Sequence, residues 1–112
     1  AFSVARALGG DYELKIIPGY PSTVNDPQMA EFVRAMATDL VGAARVKEAE
    51  IHMGAEDFSY MARAKPGVFF NVGAQKDNVL RPHHNPNFDI DENAIPTGAA
   101  LLAEAARRYL TQ

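Results

Sequence analysis

The stretch Asn25–Gly42, "NDPQMAEFVRAMATDLVG", decides how the rest of the chain is read. Met29, Phe32, Val33, Met36, Ala37 and Leu40 recur at i, i+3, i+4, i+7, i+8 and i+11, which makes one continuous apolar stripe on a helix. Asn25 or Asp26 can cap it, Pro27 sits in the first turn where its missing N–H does no harm, and Gly42 closes it. A methionine-containing stripe at this spacing is the pattern of core packing rather than of a cofactor site. A helix with one apolar face needs something to lie on, and the flanking sequence must supply it.

On the carboxyl side a second helical pattern starts near Pro96 and places Gly98, Leu101, Leu102, Ala105, Ala106 and Tyr109 on one face. Arg107 and Arg108 stand near its end, where the helix dipole favours cations. Between the two helices, "RVKEAEIHM" (45–53) reads as a strand and "GAEDFSYMARA" (54–64) as a glycine turn entering a short helix. Lys65-Pro66-Gly67 breaks that helix, and "VFFNVG" (68–73) reads as a buried strand. No period holds from Ala74 to Ile95, so this stretch is a loop of about twenty residues, a length that usually signals function or disorder.

On the amino side, residues 1–8 read as the tail of a helix stopped by Gly9-Gly10. "DYELKII" (11–17) alternates as a strand with one wet face, and "PGYPSTVNDP" (18–27), with three prolines in ten residues, reads as a stiff connection between two bodies. Helices and strands alternate, so an α/β fold is expected. The opening inside a helical pattern gives the chain the look of a segment from a longer protein.

At 112 residues and 47% hydrophobic content the sequence fits one small domain. Eleven Lys+Arg against fourteen Asp+Glu give a net charge of -3 without a basic stripe, so no nucleic-acid partner is expected. No apolar run approaches the about 20 residues that cross a bilayer, and no membrane partner is expected. The absence of cysteine removes disulfides, thiolate ligands and a thiol nucleophile, and it fits a reducing compartment, which makes the cytoplasm the expected location.

The chemistry-bearing residues concentrate in "RPHHNPNFDIDE", Arg81–Glu92. A catalytic metal site commonly takes three protein ligands and a structural one four. His52, His83, His84 and several carboxylates are the available donors, but neighbouring His83 and His84 point to opposite sides of an extended segment, and no HExxH, HxH or paired-cysteine motif is present. Spacing alone reads the histidine pair as a solvated loop and His52 as structural. Ser22 and Ser59 lack a nucleophile-elbow context. Glu56 and Asp57 stand together at a helix start, where they either cap it or face a cleft.

Taken in order, five motifs go further: "YPSTVND" (20–26), "MGAEDFSYM" (53–61), "PGVFFNVG" (66–73), "HNPNFDIDE" (84–92) and "IPTGAALLAEAARRYL" (95–110). Together they closely resemble the carboxyl-terminal part of the M20 family of metal-dependent amidohydrolases, in the branch of hippurate hydrolase, N-acyl amino acid amidohydrolases and auxin-conjugate hydrolases. The resemblance implies the carboxyl-terminal portion of a zinc-peptidase-like α/β catalytic domain. Residues 1–20 would be the end of an inserted lid, or dimerisation, domain and residues 21–112 the return into the catalytic domain.

It further implies an enzyme with two divalent metal ions, zinc, manganese or similar, acting on the amide bond of an N-acyl amino acid. By this resemblance His84, directly before Asn-Pro, is a metal ligand, and Glu56 and Asp57 are supporting or substrate-side residues. His83 occupies a place that is usually apolar. The family's remaining ligands and its general-base glutamate belong to a region before Ala1, so the 112 residues alone are expected to bind no metal tightly and to be inactive. A homo-oligomer is expected. The competing reading is a binding or association module descended from the same fold, in which His84 has no metal.

Overall fold

The computed structural model describes residues 2–111 and places the longest apolar stripe on α2, Pro27–Val41. Asp26 sets its start: the backbone is extended there, and the carboxylate accepts hydrogen bonds from the N–H groups of Gln28 and Met29 at 3.0 and 2.9 Å. Two of the donors that a helix start leaves unpaired are thus satisfied. Asn25, the other candidate cap, is used elsewhere. Its amide donates to the Phe69 carbonyl at 2.9 Å and accepts from the Phe69 N–H at 2.7 Å, while the Asp26 N–H donates to the Gly67 carbonyl at 3.0 Å.

Three further helices are present among the described residues: α1 (Phe2–Ala7), α3 (Phe58–Ala64) and α4 (Ala94–Leu110), with a single 3-10 turn at Ala43–Arg45. α4 begins two residues earlier than its proline suggested, and Pro96 falls in the first turn, where no intrahelical donor is lost. α1 ends as its glycines require. Gly9 adopts φ +79°, its N–H donates to the Arg6 carbonyl and that of Gly10 to the Ala5 carbonyl, a Schellman stop. Ala1 lies outside the described residues.

α2 and α4 supply the core to each other. Val33, Met36 and Leu101 are buried, with Phe32, Ala37 and Ala105 half-buried around them and Val68 and Phe70 reaching in from the segment after α3. Tyr109 meets the Phe32 ring edge-on, with centroids 6.3 Å apart. An ionic seam runs alongside: Arg108 donates to Asp39 on α2 and, with Arg107, to Glu104 on its own helix, all at 2.7–2.8 Å. These hydrogen bonds hold the Glu104 carboxyl at about 2, well below its ordinary value. Parts of both stripes stay uncovered, with Leu40, Leu102 and Tyr109 exposed.

The extended segments depart from the α/β expectation: no strand forms among the described residues. Residues 11–17 are exposed throughout, and Ile16 and Ile17 keep about three quarters of their surface in water. In residues 46–53, Ile51 and Met53 are fully exposed. In residues 68–73, Val68 and Phe70 turn inward and Phe69 outward, the alternation of a strand, but the backbone at Phe69 meets only the Asn25 amide. Alternation encodes which side is covered; a strand also needs a ladder of bonds to a neighbouring backbone, and none forms beside these segments among the described residues.

The dimensions agree. The radius of gyration is 20.2 Å, against about 13 Å for a compact domain of this length. α1 stands with its own small contact set, Phe2 stacked on Tyr12 at 4.4 Å and Arg6 over the same ring. α3 is joined to its surroundings through Tyr60 against Tyr20 and Phe58 against Phe69. Gly67 is part of that seam, since a Cβ there would meet the Phe58 ring at 3.2 Å. No helix among the described residues is long and apolar enough to cross a membrane.

Candidate functional site

The long irregular stretch is a folded loop. At its base the Asp91 N–H donates to the Ala74 carbonyl at 2.9 Å, and two residues further in, Lys76 Nζ meets Asp89 Oδ2 at 2.6 Å. The Asp89 carboxyl is held below its ordinary value chiefly by the hydrogen bond from Lys76, and the Lys76 ammonium is raised by the same bond. Each limb then closes in a tight turn. The first, Lys76–Val79, has Asp77 and Asn78 both at φ 55°, the left-handed geometry that these short polar residues tolerate best after glycine. The second, Asn85–Phe88, carries Pro86 at its second position. The Asn85 carbonyl accepts from the Phe88 N–H, and its side-chain oxygen accepts from the Asn87 N–H at 2.9 Å.

His84 stands where the apex enters the second turn, with φ 59°. This is an uncommon backbone for a residue with a Cβ, and it persists only where surrounding structure enforces it. Its side chain is exposed, and its ring makes no hydrogen bond among the described residues. His83 is engaged differently, with its ring edge-on to Phe88 at 5.2 Å. The two histidines, Asn85, Pro86 and Phe88 border a shallow hollow open to solvent.

Glu56 and Asp57 lie at the start of α3. The Glu56 carboxylate accepts from the Phe58 N–H at 3.3 Å, so it serves as a cap, while Asp57 is exposed and its side chain caps nothing. No hydrogen bond or ion pair among the described residues joins either of them to the histidine loop. His52 sits on the exposed 46–53 segment with Nδ1 3.0 Å from the Glu50 carbonyl oxygen, outside any strand. Among the described residues no three His, Asp or Glu side chains converge as a metal would require. An exposed imidazole with no internal partner suits the place of one ligand, and the rest of such a site is not formed by these residues.

Two features escaped the sequence reading. One is the Lys76–Asp89 bridge, whose partners are thirteen residues apart and share no period; Asp77-Asn78, a dipeptide suited to positive φ, was the available signal. The other is the burial of Ser59, which is wholly covered and has a hydroxyl without a partner among the described residues.

A sequence profile described as peptidase family M20/M25/M40 matches residues 5–108. The chain belongs to that family. Among the relatives of this M20 chain is YhaA of Bacillus subtilis strain 168, whose name calls it an amidohydrolase; it is 39% identical over 103 residues, which cover 90% of this chain and 26% of YhaA. IAA-amino acid hydrolase ILR1-like 4 of Arabidopsis thaliana is 37% identical over 97 residues, covering 85% of this chain and 22% of the plant protein. Thermostable carboxypeptidase 1 of Saccharolobus solfataricus is 34% identical over 107 residues, covering 90% of this chain and 26% of the carboxypeptidase. The M20 chain thus spans about a quarter of the length of the curated relatives it matches.

Proposed function

We propose that the M20 chain is the carboxyl-terminal segment of a metal-dependent amidohydrolase that cleaves the amide bond of N-acyl amino acids, hippurate-like or related, and that His84 is one of its metal ligands. The observation that carries this reading is the placement of His84: an exposed imidazole without an internal partner, held in a left-handed backbone on a loop closed at its base. The names of the relatives support hydrolysis of an amide to an amino acid. A bound divalent ion would polarise the amide carbonyl and lower the pKa of a water molecule.

The remaining ligands and the general base belong to the part of the protein outside these residues. That part would also pair with the extended segments at 11–17, 46–53 and 68–73 and complete the α/β sheet, with residues 1–20 closing a lid domain and residues 21–112 belonging to the catalytic domain. Asp57 would face the substrate side and Glu56 hold the start of α3. A homo-oligomer is part of the same reading.

The test uses the full-length protein that carries this chain. His84→Ala is expected to abolish tight metal binding at one site and to lower kcat/KM at least about a hundredfold, because a lost ligand removes several kcal/mol of charge stabilisation. His83→Ala should leave both within a factor of a few. Metal stoichiometry by equilibrium dialysis is the direct readout, and an unchanged His84→Ala protein would overturn the assignment. The 112 residues alone should show no stoichiometric zinc binding; tight binding by them would contradict a divided site.

A further inference from the structure

We infer that Lys76 and Asp89 are positioning residues for His84, an ionic clamp that fixes the loop from which the imidazole projects; the inference rests on the reading of His84 as a metal ligand. The two base contacts share one antiparallel register. Ala74 is bonded to Asp91, and stepping inward by two residues on each limb reaches Lys76 and Asp89, which are directly opposed and joined at 2.6 Å. The limbs cannot separate beyond this point without breaking a charge-assisted hydrogen bond.

The loop above the clamp contains only the two turns and the short apex between them. Val79 N–H to the Lys76 carbonyl and Phe88 N–H to the Asn85 carbonyl make each limb leave the clamp already folded. Arg81 adds a strut from the apex to the base: its side chain is largely covered, and Nη1 donates to the carbonyl of Lys76 itself at 3.1 Å. Lys76 therefore ties the base through its ammonium and the apex through its carbonyl.

Left-handed backbone at three residues without glycine, Asp77, Asn78 and His84, would relax in a free loop. The clamp and strut are the contacts that oppose that relaxation. By contrast, nothing bonds the His84 ring among the described residues, so its position is set through the backbone. Loss of the clamp should move the imidazole without removing any group that touches a metal.

The experiment uses the full-length metal-loaded protein with histidine labelled at Cε1, the His84 signal being assigned by its loss in His84→Ala. Lys76→Ala and Asp89→Ala are each expected to broaden or split that signal and to weaken metal binding about fivefold, the upper range for an exposed ion pair, with the thermal midpoint close to wild type. The exchanged pair Lys76→Asp with Asp89→Lys should restore a single sharp signal and an affinity within about twofold of wild type, which simple loss of a surface residue would not. Raising salt should weaken metal binding in the wild type more than in Lys76→Ala, since exposed charges are screened. Clamp variants with wild-type signal and affinity, in a protein where His84→Ala loses the metal, would overturn the clamp and leave the ligand assignment standing. A His84→Ala protein that binds metal as wild type does would overturn both. If the single variants fail to fold, the exchanged pair decides: recovery of signal and affinity supports the clamp, and failure to recover them overturns it.

Discussion

The α2–α4 pair and the His84 loop are both held closed, but by different forces. The helices meet through buried Val33, Met36 and Leu101, and their ionic seam of Asp39, Arg108 and Glu104 lies beside that contact. The loop has no buried apolar side chain at all; Lys76–Asp89, Arg81 and three backbone bonds keep it shaped. Apolar burial is non-directional and tolerates adjustment, whereas hydrogen bonds fix direction. A packing scaffold can be made by the first kind of contact, and a side chain that must be aimed needs the second.

The largest expected effect would break the scaffold side of this contrast. Met36→Ala removes the most deeply buried apolar side chain and should cost about 2–4 kcal/mol, read as a lowered urea midpoint of the 112-residue chain, while the amides of the local turn at Asn85–Phe88 keep their wild-type exchange rates. Equal loss of protection in both regions would show that they are one cooperative unit. Asn25→Ala should come next, at about 1 kcal/mol for two hydrogen bonds at an exposed position. Its signature is faster exchange of the Phe69 amide with α2 intact, since Asp26 caps that helix independently.

Acid should sharpen the contrast further. Glu104 has its carboxyl lowered from 4.5 to about 2 by hydrogen bonds from Arg107 and Arg108. A carboxyl lowered in the folded state stabilises it above the ordinary value, and that contribution fades as pH falls through the folded value. The helix pair should therefore lose stability between pH 4.5 and about 2, and Glu104→Gln should flatten this part of the pH profile. An unchanged profile in that variant would mean that the seam contributes nothing to the packing.

The same division explains what could be read beforehand. α1, α2, α3 and α4 were legible because periodicity, a capping Asp26 and the breakers at Gly9, Gly42 and Pro66 are local signals. The alternation in 11–17 and 68–73 was legible as well, but a strand depends on pairing with a second stretch of backbone, which no local pattern encodes, and among the described residues these segments stay extended and unpaired as strands. Asn25 was a candidate cap and is instead the anchor of Phe69, a choice set by a contact forty-four residues away. At the site, the resemblance singled out His84 over His83; the backbone at φ 59° and the bridge beneath it come from turns and charges that carry no period.

One consequence follows from how the aromatic rings are distributed. The chain has four tyrosines and no tryptophan, and the four are spread over three seams. Tyr109 lies against Phe32 where α4 meets α2, Tyr20 against Tyr60 where the proline-rich connection meets α3, and Tyr12 on Phe2 beside α1. Phenol absorbance and near-ultraviolet dichroism therefore act as built-in optical gauges. Replacing one tyrosine at a time by phenylalanine would assign each part of the signal to its seam, letting the opening of one be timed against the others without any label.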